Sequence, residues 1–172
     1  MSKVIIITGP PSSGKSTISH YLAKHIENCA YINVDSLRHM IQSGYVEPWK
    51  NSQKALEQQT LGVKNCCSLT NNFIQSKFNV IIDDVIDSEE LYNMYLQNIN
   101  SQNIHIFLLL PNKDTLIQRD KSREEYAMNN RAEELYDSFE RIKNNIDWVV
   151  IDNSNLSVEE TANQILRKTN KK

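Results

Sequence analysis

The sequence lacks the features that would tie it down covalently, to a metal or to a membrane. It has three cysteines, Cys29, Cys66 and Cys67. An odd number with two adjacent does not read as a disulfide framework. No CxxC pair offers a structural zinc site. Reduced, buried thiols in a cytosolic protein are the reading that remains. The four histidines have no metal-ligand spacing, and His20 and His25 read as surface residues of one helix. The apolar run near the N-terminus, Val4 to Thr8, is far too short to span a bilayer. Gly9, Pro10 and Pro11 break it too abruptly for a signal peptide. The expectation is a cytoplasmic protein with no membrane partner. Neither sign of charge dominates: the net charge is −2. That counts against a protein that wraps a polynucleotide but does not exclude one that grips a single nucleotide end. Arginine is scarce too, with Arg38 the only one before residue 119.

What is present suits one domain spanning 1–172. The chain has 172 residues, 40% of them hydrophobic and 23% charged, enough to bury a real core. Continuous apolar runs recur at Val4 to Thr8, Tyr31 to Val34, Asn79 to Asp83, Ile104 to Leu110 and Trp148 to Ile151. Runs of this length predict strands buried on both faces, as in a parallel sheet. Helical patterns alternate with them: Ser16 to Asn28, Asp35 to Ser43 with Gly44 as its stop, about Ser52 to Lys77, Ser88 to Asn98, Asn112 to Ser122, Arg131 to Asn144 and Ser157 to Lys168. Ser157 opens the last with a capping-box signature. The alternation predicts an α/β fold of five parallel strands with right-handed crossovers.

The most specific signal is Gly9-Pro10-Pro11-Ser12-Ser13-Gly14-Lys15-Ser16. It fits the pattern GxxxxGK followed by Ser or Thr, directly after an apolar strand and directly before a helix, where the chemistry needs it. The glycines let the backbone curl so that successive N–H groups point at phosphate oxygens. The helix start adds the positive end of its dipole. Lys15 supplies a cation for the β and γ phosphates. The Ser16 hydroxyl suits Mg²⁺, and Thr17 is a second hydroxyl near the α phosphate. The loop therefore predicts binding of ATP with magnesium.

Other charged positions point to the same crevice, because ligands of an open parallel sheet bind beyond the carboxyl ends of its strands. Asp35 ends the second apolar run and is placed to take a proton from an attacking hydroxyl; the competing reading is a helix cap. Arg38 lies three residues on, on the same helical face, as a substrate contact or a solvated charge. Asn79 to Asp83, followed by Asp84, is a hydrophobic strand ending in acid. Successive acids on a strand face opposite ways, so Asp83 is assigned to the metal and Asp84 to the acceptor. Arg119, Arg123 and Arg131 read either as a lid over the transferring phosphoryl, at about 119–131, or as a surface laced with salt bridges. Arg119 and Arg123, four apart, are the preferred pair. The turn Asp152 to Ser154 is an adenine-side candidate or a plain Asx turn. Tyr45 and Trp49 either wall an acceptor pocket or join the core.

The order of the phosphate loop, Val34-Asp35-Ser36-Leu37-Arg38, Asn79 to Val85 and the arginine stretch beginning Gln118-Arg119-Asp120 resembles the small P-loop kinases over about residues 3–168. The nearest are the chloramphenicol phosphotransferase-like and zeta-toxin-like groups, with shikimate and gluconate kinases further off. The resemblance implies a three-layer P-loop NTPase fold with strand order 2-3-1-4-5, a short lid, ATP as donor and an uncharged hydroxyl-bearing acceptor. It also implies that Asp35 is the base. The stretch Gln42 to Lys64 has no recognisable acceptor signature. The Asp35 and Arg38 pairing is similar to that of the 5′-hydroxyl polynucleotide kinases, which keeps a nucleic-acid acceptor as the second expectation. An ATP-binding switch without acceptor is the third. The lack of early arginines favours a small, weakly charged acceptor such as an antibiotic, sugar or nucleoside.

Overall fold

Five short strands align in parallel in the order β2-β3-β1-β4-β5. They are β1 (Val4–Thr8), β2 (Cys29–Asn33), β3 (Asn79–Asp83), β4 (Ile104–Leu109) and β5 (Val149–Ile151). The computed structural model describes residues 2–50, 52–123, 128 and 130–170. The helices are α1 (Lys15–His25), α2 (Val34–Arg38), α3 (Gln53–Gln75), α4 (Glu89–Asn98), α5 (Lys113–Lys121), α6 (Asn130–Ile142) and α7 (Val158–Thr169). The count is that expected from the sequence pattern, and the order is that implied by the resemblance to the small P-loop kinases.

β1 is central, with Ile6 opposite Ile82 of β3 and Ile106 of β4, and all five of its residues are buried. Alternation along it serves two cores. Ile5 and Ile7 join Ile81, Phe107 and Leu109 beneath Ile18 and Leu22 of α1 and Ile165 of α7. Val4 and Ile6 join Ile82, Leu108, Cys66, Tyr95 and Phe139 on the other side, facing α3, α4 and α6. Each isoleucine fully buried this way contributes roughly 1.5–3 kcal/mol. Helix layers cover both faces, so the strands carry no polar face. Cys66 and Cys67 are buried free thiols and Cys29 is part-buried.

Most helix starts are capped as their sequences suggest: Ser52 accepts from Ala55 N, Ser88 from Leu91 N and Asn112 from Thr115 N. Ser157 and Glu160 form the full capping box. Differences from the sequence reading cluster around β2. The strand runs from Cys29 to Asn33, two residues earlier than its apolar core suggests. Asn33, not Asp35, caps α2 by accepting from Ser36 N. That helix stops at Arg38, well before Gly44. Among the described residues no helix is long and apolar enough to cross a membrane.

Candidate active site

The loop between β1 and α1 shapes its backbone in the way an anion cradle requires. Gly9 has φ 149°, and a Cβ there would collide with the Leu109 carbonyl and sit 2.9 Å from Ser13 Oγ. Ser12 takes a left-handed φ of 65° and Gly14 one of 93°. Gly14 occupies the N-cap position of α1, and no side chain caps the helix. The first-turn amides therefore stay open to an exogenous acceptor. Three outside contacts brace the loop. Ser12 Oγ donates to Asp120 Oδ1 at 2.8 Å. Arg123 Nη1 lies 3.4 Å from Ser12 Oγ. Asn153 Nδ2, buried, donates to the Ser13 carbonyl at 2.9 Å.

Asp83 ends β3 and Asp84 follows it, and the two side chains fall on opposite sides of the sheet, as continued alternation dictates. Asp83 stands in register between Ile7 and Asn33. Its Oδ2 accepts from Tyr31 OH and Asn33 Nδ2, each at 3.0 Å. Burial, then the Asp83 charge, pushes the Tyr31 phenol up, so it remains a donor. Asp83 Oδ1 is buried without a partner.

Asp84 faces the other core. Its Oδ1 accepts from Arg38 Nη2 at 2.8 Å and its Oδ2 from Tyr95 OH at 2.6 Å. Burial pushes the Asp84 carboxyl up while the Arg38 charge opposes it. Arg38 Nη2 also donates to Asp35 Oδ1 at 2.7 Å. Burial by itself would lower the Arg38 guanidinium, but the carboxylates of Asp84 and Asp35 raise it. Gly62 of α3 makes room for the arginine stem, since a Cβ there would lie 2.9 Å from Arg38 Cγ. Arg38 is thus neither solvated nor a free cation: its side chain is 3% exposed, against 54% for that of Asp35.

The phosphate loop, Asp35 and Arg38 meet in one cleft of about 220 Å³, which Asp83 and Asp84, both buried, do not line. Lys15 and Ser16 enter it from the phosphate loop, Asp35 and Arg38 from α2, and Arg123 and Arg131 from the far side. Pro48, Trp49, Val85 and Leu135 supply apolar wall, and Asp87 adds a carboxylate. A larger depression of about 840 Å³ lies at the N-terminal edge of the strands, around Lys77, Asn79 and Gln102. It has neither a carboxylate nor a guanidinium in its lining, whereas the smaller cleft has both.

Several expected residues fall elsewhere. Arg119 does not line the cleft; its Nη2 donates to the carbonyls of Asn153 and Ser154, at 2.9 and 3.4 Å. The preferred arginine pair is therefore split, and Arg131 joins Arg123 instead. The lid expected at 119–131 is described only in part, because 124–127 and 129 lie outside the described residues. Asp152 to Ser154 forms the Asx turn, Asp152 Oδ1 accepting from Ser154 N at 2.9 Å, and the same turn reaches the phosphate loop through Asn153. Trp49 lines the cleft with half of its surface exposed, whereas Tyr45 packs on His39 with ring centroids 5.0 Å apart. The sequence reading missed Asp87, Asn33 and Tyr95, while Asn153 lies in the turn it singled out. Only Asp87 left a signal, as a further acid just beyond the β3 pair.

A family model described as AAA domain matches residues 5–158. The chain belongs to that family, AAA_18. Solved structures that this family member resembles include a sugar kinase, a gluconokinase and shikimate kinases. The tunicamycin resistance protein of Deinococcus radiodurans superposes with TM-score 0.73 at 14% identity, covering 100% of this chain and 98% of that one. Shikimate kinase from Bacteroides thetaiotaomicron gives 0.69 at 11% identity, covering 96% and 97%. A chain of the Pnkp1/Rnl/Hen1 RNA repair complex gives 0.64 at 22% identity, covering 86% of this chain and 47% of that one. At these identities the likeness establishes the fold. No curated protein matches.

Proposed function

We propose that the protein transfers the γ-phosphate of ATP to a hydroxyl of a small acceptor carrying little negative charge. The observation that carries this reading is the shared cleft, in which Lys15 and Ser16 of the phosphate loop face an exposed Asp35 carboxylate held in place by Arg38.

The residues present fit both ATP and magnesium. The uncapped start of α1 and the close backbone approach at Gly9 suit a triphosphate. The exposed Ser16 hydroxyl and the unpartnered Oδ1 of Asp83 suit a hydrated divalent cation. Among the described residues no group of three or more His, Cys, Asp or Glu side chains could hold a metal alone. The ion would therefore rely on nucleotide oxygens and water, and when bound it would neutralise charge on the β and γ phosphates.

The chain's own residues divide the work. The N–H groups at the start of α1, with Thr17, hold the phosphates in the loop from Gly9 to Ser16, and Lys15 and Arg123 balance charge on the transferring group. The acceptor oxygen bonds to the γ phosphorus as the bond to the β,γ-bridging oxygen breaks and ADP leaves. The hydroxyl proton passes to Asp35. Arg38 positions Asp35, and Asp84 with Tyr95 positions Arg38. Arg119 supports the turn that braces the loop. Of the charged groups lining the cleft, Arg38 is held by Asp35 and the buried Asp84, and Lys15 and Arg123 serve the phosphates, which leaves Asp87 beside Arg131 for the acceptor. An anionic acceptor would meet little free positive charge there.

A second reading, a 5′-hydroxyl polynucleotide kinase, draws on the Asp35-Arg38-Asp84 arrangement and on Trp49 at the cleft, where a base could stack. It also draws on the likeness to a chain of an RNA repair complex. Radiolabel from γ-labelled ATP, offered with sugars, antibiotics, nucleosides and 5′-hydroxyl oligonucleotides, separates these acceptors. Transfer to a small neutral hydroxyl compound, abolished in Asp35→Ala, is expected. Label only on the oligonucleotide end selects the second reading. Hydrolysis without transfer, unchanged in Asp35→Ala, selects a nucleotide-binding switch.

A further inference from the structure

Asp87 follows β3 by four residues and lines the cleft that also holds Lys15, Ser16 and Asp35. It is part-buried, and burial pushes its carboxyl up, opposed by a hydrogen bond from its own backbone N–H and, at a distance, by the charges of Arg131 and Arg38. The neighbouring carboxylates all have protein donors. Asp83 has Tyr31 and Asn33, Asp84 has Arg38 and Tyr95, and Asp35 has Arg38. Among the described residues no other side chain bonds to the Asp87 carboxylate.

Withdrawing a carboxylate from water with only its own backbone N–H as donor is costly, and the cost falls further when another donor arrives. Its position in the cleft makes the ligand the source of that donor. Arg131, on the same lining, has a buried Nε without a partner, and its Nη1 reaches Glu134 only at 3.4 Å. The acceptor side therefore presents one carboxylate without a side-chain donor and one guanidinium N–H without a partner. A molecule bearing a single hydroxyl satisfies Asp35 alone.

Resting on the phosphotransfer reading above, we propose that Asp87 selects the acceptor. It takes a hydrogen bond from a second N–H or O–H donor adjacent to the reacting hydroxyl, so that diols and amino alcohols are preferred to simple alcohols. A site built around a buried hydrogen bond discriminates more strongly than an apolar pocket, because the wrong ligand leaves the protein group unpaired.

The test is calorimetry of the full chain with magnesium and a non-hydrolysable ATP analogue, titrated with cyclohexanol, cis-1,2-cyclohexanediol and cis-2-aminocyclohexanol. In the wild type the diol or the amino alcohol is expected to bind at least ~10-fold more tightly than cyclohexanol, and whichever does so identifies the donor as hydroxyl or amine. Asp87→Asn, or Asp87→Ser should that variant misfold, is expected to erase the preference without weakening the nucleotide analogue. Equal affinities in the wild type, or a preference that survives both substitutions, overturns the proposal. So does a loss confined to magnesium and nucleotide affinity, which would put Asp87 on the metal side. ADP release on adding these alcohols with ATP, compared between wild type and Asp35→Ala, tests the phosphotransfer reading separately. Discrimination without ADP release removes the kinase reading and leaves Asp87 as the donor-reading group, and release without discrimination does the reverse.

Discussion

The two sides of the cleft are built by different means. The loop side comes from consecutive residues, Gly9 to Ser16, and under the proposed function its donors are mostly backbone N–H groups at the start of α1. The Asp35 side is assembled from side chains of α2, α3, the end of β3 and α6, brought together only by the fold. The first side tolerates changes elsewhere in the molecule as long as its backbone can curl. The second depends on a chain of hydrogen bonds, Tyr95 to Asp84 to Arg38 to Asp35, in which each group holds the next. A backbone cradle suits a ligand that is the same in every related reaction. A side-chain wall can be rebuilt for a different acceptor.

The largest effect should come from Arg38→Ala. It leaves the Asp84 carboxylate buried without its cation, which typically costs ~3–5 kcal/mol. Urea unfolding should register a loss of that size, while the folded fraction still binds nucleotide. Gly9→Ala attacks the other side. Backbone strain of ~1–3 kcal/mol at φ 149°, together with the clash at the Leu109 carbonyl, should cut nucleotide affinity ~10-fold or more by calorimetry. The Arg38 network should be left intact, so the phosphate loop would fail alone. Tyr95→Phe removes one buried donor from Asp84 and should cost ~1–3 kcal/mol in thermal or urea unfolding. It should also slow transfer more than it changes ATP binding. Asn153→Ala deletes a single neutral hydrogen bond to Ser13, worth ~0.5–1.5 kcal/mol. A few-fold rise in the Kd for ATP, with no change in acceptor preference, is expected. If Asn153→Ala altered acceptor choice, or Tyr95→Phe altered only nucleotide affinity, the two sides would not be separable.

The same contrast decides what could be read in the sequence. The phosphate loop was legible because its chemistry is contiguous and its flanking strand and helix announce themselves in pattern. The strands were legible because helices cover both faces of the sheet, leaving continuous apolar runs such as Val4 to Thr8. Asp83 and Asp84 could be sent to opposite faces by alternation alone, and the structure has them so. The Asp35 side was legible only as a collection of candidates. Spacing put Arg38 on the face of Asp35, but its burial depends on a gap at Gly62 and a carboxylate arriving from β3. Neither is visible locally. Helical spacing likewise put Arg119 beside Arg123, but not which neighbour each would meet; one reaches the Asn153 turn and the other the phosphate loop. Asp87 follows β3 in a segment without periodic pattern, and only the fold turns it into the cleft.

The most direct test of this account uses one variant and two readouts. Asp35→Ala should bind Mg·ATP with the Kd of the wild type in calorimetry, yet transfer phosphate to the best acceptor at least ~10²-fold more slowly. A normal transfer rate, or loss of ATP binding along with transfer, would contradict the division of the cleft into a phosphate-holding loop and an Asp35 side that receives the hydroxyl.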